Sequence, residues 1–118
     1  MDIEREIEDE LRYFNSDEER DAFLAVRVPA SQYVAPWQYG PEKHTCVVVA
    51  SDGKQRIVYC RTGFGPEFSW SAQNIGWADI GMDSEWHAYL YEAFVCSSMW
   101  PFARPKGFVH MARGERIA

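Results

Sequence analysis

With 118 residues, 47% hydrophobic and 25% charged, the chain has the balance of one folded domain (1–118) and no room for a second core. A net charge of −6 without a basic stripe speaks against nucleic-acid binding, and no apolar run nears the ~18 residues of a membrane span. The acidic N-terminus lacks the basic and apolar regions of a signal peptide, and three scattered cysteines (Cys46, Cys60, Cys96) read as reduced thiols; both point to a cytoplasmic protein.

Residues 1–28 form an acidic helical segment. Residues 1–21 hold ten acids and three arginines, net −7, whereas the rest of the chain holds eight acids and nine bases, net +1. Ile3, Ile7, Leu11 and Phe14 make one apolar stripe, with Glu8 placed to meet Arg12 one turn on. Ser16-Asp17-Glu18-Glu19 is a capping box that starts a second helix, and Pro29 ends it. Such a segment is either a solvated face or a docking surface for a basic protein partner. Glu4, Glu8, Asp9, Asp17 and Glu18 are the candidate contacts.

The strand-rich region spans 32–75. Gln32 to Tyr39 reads as a strand that Pro36 confines to an edge. His44 to Ala50 and Gln55 to Thr62 flank Asp52-Gly53, a hairpin signal. With Asp52-Gly53 as the loop, Val48 faces Ile57, Cys46 faces Tyr59 and His44 faces Arg61. Cys46 and Cys60 then fall on opposite faces. Both faces of this hairpin are apolar, so it belongs at the centre of a sheet covered on both sides.

Phe68 to Ile75 reads as a further strand, with Phe68 and Trp70 on one side. Gly76 to Gly81 is a loop carrying Trp77. Asp83-Ser84 caps a helix at about 84–99 with an inward stripe of Trp86, Leu90, Ala93 and Phe94, and Pro101 stops it. A short strand is expected at about 108–112. The predicted fold is therefore α+β: a small antiparallel sheet around a central hairpin (about 44–62), packed by the N-terminal helices and the helix at 84–99.

Motifs for chemistry are sparse. Gly63-Phe64-Gly65 runs into Pro66 and a strand, which suits a turn and not a phosphate loop. His44 and Cys46 share a strand face, but no CxxC or HxxxH supplies further ligands, so no metal or cofactor is expected. No GxSxG elbow is present. His44 opposite Arg61, with Glu67 nearby, is the one set suited to acid–base cleavage of a phosphodiester.

Aromatic residues make up 15% of the chain. Trp37, Tyr39, Phe64, Trp70 and Trp77 fall on loops or edge strands and form a second candidate contact surface. In size, acidity and aromatic content the chain is similar to small bacterial immunity proteins that neutralise toxins. The expected function is non-enzymatic binding of a basic protein; the alternatives are a small phosphodiester-cleaving enzyme and a homodimeric structural subunit.

Overall fold

A computed structural model describes residues 2–37, 40–61, 67–76 and 86–103. Helix α1 (Ile3–Leu11) starts at Asp2, whose carboxylate accepts the Arg5 N–H at 3.3 Å. Helix α2 (Asp17–Val26) starts at Ser16, whose Oγ accepts the Glu19 N–H at 3.1 Å. Glu19 reaches back to the N–H of Asn15 at 2.8 Å, so the reciprocal half of the box lands one residue early. Between the helices Phe14 drops into the core against Phe23, Tyr91 and Phe94. Truncating such a ring costs ~3–5 kcal/mol.

Five antiparallel strands follow: β1 (Arg27–Pro36), β2 (Lys43–Ser51), β3 (Gln55–Tyr59), β4 (Trp70–Asn74) and β5 (Trp86–His87). Their order in the sheet is β1-β2-β3-β4-β5. β1 is an edge strand, as its prolines require. Its register shifts between Arg27 and Ser31, the stretch that contains Pro29.

The β2–β3 hairpin lies inside the sheet and is buried on both faces, but its register differs from the expected one. Val47 pairs with Tyr59 and Val48 with Val58; after a bulge, Ala50 pairs with Ile57 and Ser51 with Arg56. The turn and the bulge together are the cause. The Asp52 N–H donates to the Gln55 carbonyl, which makes Gly53-Lys54 the loop. The Asp52 carboxylate accepts the N–H groups of both Lys54 and Gln55 at 2.9 Å, and Gly53 takes φ +86°. Asp52 thus caps the turn from outside the loop. The turn moves the pairing by two residues, which leaves the faces unchanged; the bulge between Val48 and Ala50 moves it by one, so Cys46 and Cys60 share a face, against expectation.

On one face Val47, Val49, Ile57, Tyr59 and Trp70 pack against the helices. On the far face Ala35, Cys46, Val58 and Cys60 form a second cluster with Tyr33, Val48, Trp37 and Trp86.

The third helix is shorter than the sequence suggests. α3 spans Leu90–Cys96, and Trp86 and His87 instead form β5 against Ser71 and Trp70. Trp86 therefore leaves the helical stripe and joins the far-face cluster, while Leu90, Ala93 and Phe94 are buried on the helix side. At the other end Ser97 turns extended, its Oγ donating to the Phe94 carbonyl at 2.7 Å, so the helix stops before Met99. The expected cap at Asp83-Ser84 and the strand at 108–112 lie outside the described residues. No described helix is long and apolar enough to cross a membrane.

Candidate functional site

Helices α1 and α2 expose Asp2, Glu4, Glu8, Asp17, Glu18 and Asp21, with Asp9 half-buried. Three of these acids are answered within the chain. Arg12 pairs with Asp9 at 2.6 Å, not with Glu8; Arg20 pairs with Asp17 at 2.7 Å; and Arg27 of β1 pairs with Glu4. Such surface pairs hold little energy, but they blunt the local field. Glu8, Glu18 and Asp21 are exposed and form no ion pair among the described residues. Glu10 does not belong to the surface: it is 1% exposed and accepts the Leu90 N–H at 2.9 Å.

The aromatic candidates fare differently. Trp70 is a core residue at 2% exposure, its ring 4.7 Å from that of Tyr59, so it is no surface anchor. It was expected near an edge, but β5 extends the sheet beyond β4 and α3 covers that side. Trp37 is half-buried, edge-on to His44 at 5.2 Å between ring centroids. Tyr39, Phe64 and Trp77 lie outside the described residues. Every described aromatic ring is buried or half-buried; the exposed large apolar side chains described are Leu24, Val34 and Ile75.

The alternative catalytic set is not assembled as the predicted register required. His44 lies on β2, while Arg61 lies past the end of β3, exposed and one residue out of step, and Glu67 is exposed outside β4. Among the described residues no group of three or more His, Cys, Asp or Glu is arranged to hold a metal ion.

Sequence reasoning missed the polar set on the far face. Tyr33 of β1 pairs with Cys46 of β2, its ring stacks on the Arg56 guanidinium of β3 at 4.1 Å, and its hydroxyl donates to Gln73 Oε1 of β4 at 3.0 Å. One side chain thus ties four strands. Burial, followed by the neighbouring Cys46, pushes the Tyr33 hydroxyl far above its ordinary range. The Cys46 thiol shares a hydrogen bond with Cys60, and this bond and burial hold it protonated; Arg56 acts in the opposite direction on both groups. Ser71 Oγ, Gln73 Nε2 and Arg56 Nε are buried without a hydrogen-bond partner among the described residues. A signal for this was present. If both faces of the hairpin are covered, the polar residues alternating with Trp70 and Ala72 on the next strand are buried as well.

The chain matches no protein-family model, no curated protein and no solved structure.

Proposed function

We propose that this protein is a non-enzymatic interaction domain that docks a basic protein partner on its α1–α2 face. In its most concrete form it is an immunity- or antitoxin-like protein, acting in the cytoplasm, that neutralises a basic toxin by occlusion. The observation that carries this reading is the segregation of charge. A net −7 sits in residues 1–21, and Glu8, Glu18 and Asp21 are exposed there without an ion pair among the described residues. Long-range attraction from such a face speeds encounter with a positively charged surface.

Deleting residues 1–21 does not test the reading, because Ile7 and Phe14 belong to the core. Charge reversal does. The immobilised chain is exposed to a lysate of its native cell beside the variant Glu8→Lys/Glu18→Lys/Asp21→Lys, with unchanged melting as the control for folding. Capture of a basic protein that salt releases and the variant fails to hold supports the reading. Equal capture by both chains contradicts it.

The homodimer reading has one observation in its favour. β1 is an edge strand, and its Val34 is 60% exposed. Sedimentation equilibrium of the wild-type chain and of Val34→Lys tests it: a dimer that the substitution dissociates supports it, and a monomer throughout dismisses it.

A further inference from the structure

Among the described residues, three buried donors without an acceptor are neighbours on the far face of the sheet. Gln73 is the strand partner of Arg56, and Ser71, one step along the same face, is the partner of Val58. Ser71 is 0% and Gln73 1% exposed. Ser71 Oγ, Gln73 Nε2 and Arg56 Nε have no hydrogen-bond partner among the described residues. The Tyr33 hydroxyl donates to Gln73 Oε1 at 3.0 Å, and the NH₂ end of the amide is unused among the described residues. Among the described residues Arg56 makes no ion pair, and its ring partner is Tyr33.

A buried donor without an acceptor is destabilising, so three side by side mark a place where an acceptor belongs. A guanidinium, a primary amide and a hydroxyl together are the donors that hold a carboxylate. The charge also decides. One arginine balances one negative charge, whereas a phosphate dianion would bring a second into a region walled by Tyr33, Val58 and the two thiols. Arg56 is half-buried, which leaves the site an open side.

We propose that Arg56, Gln73 and Ser71 form a binding site for the carboxylate of a small organic acid. The test follows the Arg56 Nε–H resonance of the full ¹⁵N-labelled chain during titration with sodium acetate, with sodium chloride and inorganic phosphate at matched ionic strength as further arms. Acetate produces a saturable shift and chloride does not. Arg56→Lys weakens the saturation at least ~10-fold, because the fork is lost. Gln73→Glu abolishes it while the rest of the spectrum stays folded: the new side chain still accepts from Tyr33 and supplies its own carboxylate to Arg56. Equal, unsaturable shifts with acetate and chloride overturn the site. So does a Gln73→Glu variant that still saturates. Saturation by phosphate in place of acetate overturns the carboxylate assignment.

Discussion

The carboxylate of Glu10, in α1, accepts the backbone N–H of Leu90, the first residue of α3, at 2.9 Å. Tyr89 occupies the N-cap position without a side-chain cap, so a residue 80 positions away does the capping. The bond is buried at both ends. Glu10→Ala leaves the Leu90 N–H buried and unpaired, with an expected loss of ~1.5–3 kcal/mol in urea unfolding. Glu10→Gln keeps an acceptor and is expected to lose less. Equal losses for the two variants would show that the bond to Leu90 is not what Glu10 provides.

Tyr91 links α3 to the turn between α1 and α2. Its hydroxyl donates to Glu19 Oε2 at 3.2 Å and accepts from Asn15 Nδ2 at 3.1 Å. Burial, and then the Glu19 carboxylate, raise its pKa from 10.0 to about 12. The folded state therefore holds this proton more tightly than the unfolded chain does. Stability tied to Tyr91 is complete below the unfolded value of 10.0 and is lost as pH rises toward 12. Tyr91→Phe is expected to lose ~1 kcal/mol at neutral pH and to show a flatter decline across that alkaline window in urea midpoints.

Asp52 ties the hairpin turn to the end of α3. Its carboxylate accepts the Gln55 N–H, the Ser98 hydroxyl at 2.6 Å and the Lys54 N–H, and these bonds lower its pKa from 3.8 to about 2. Its contribution is present above the unfolded value of 3.8 and is lost as pH falls toward 2. Asp52→Asn is expected to flatten that acid limb. Next to it, Gly53 at φ +86° has open space around its Cα, so Gly53→Ala meets backbone strain alone. The expected cost is ~1–2 kcal/mol, with Gly53→Asn costing less. A neutral Gly53→Ala would place the turn elsewhere.

The thiols separate by burial. Cys46 and Cys60 are fully buried, and Cys96 is half-buried. With a disulfide reagent at mild alkaline pH, Cys96 is expected to react in the folded protein, while the other two follow the unfolding rate. Cys96→Ser should remove the fast phase; a fast phase that persists would mean the far face is open at the sulfurs.

Much of this was legible in sequence because it is local. Ser16 and Glu19 sit within one turn of the helix they cap, Pro36 excludes an inner strand, and the apolar residues on both hairpin faces place it inside the sheet. What was not legible depends on partners distant in the chain or on one side-chain choice. The hairpin register depended on where the Asp52 carboxylate placed its hydrogen bonds and on the bulge between Val48 and Ala50. The start of α3 depended on Glu10, and the loss of Trp86 from the helix depended on Ser71 of β4. Trp70 looked like a surface ring because no local pattern announced a fifth strand two residues long. The acidic face was visible as a composition shift; its sorting into paired Glu4, Asp9 and Asp17 and unpaired Glu8 and Glu18 needed Arg27 and the helix geometry.

The central claim, that the α1–α2 face steers a basic partner, rests most directly on the association rate of the captured partner, measured against ionic strength for the wild-type chain and for Glu8→Lys/Glu18→Lys/Asp21→Lys. The expected wild-type rate falls steeply with salt, and the variant rate is at least ~10-fold slower at low salt with dissociation little changed. Identical, salt-independent association of the two chains would contradict it.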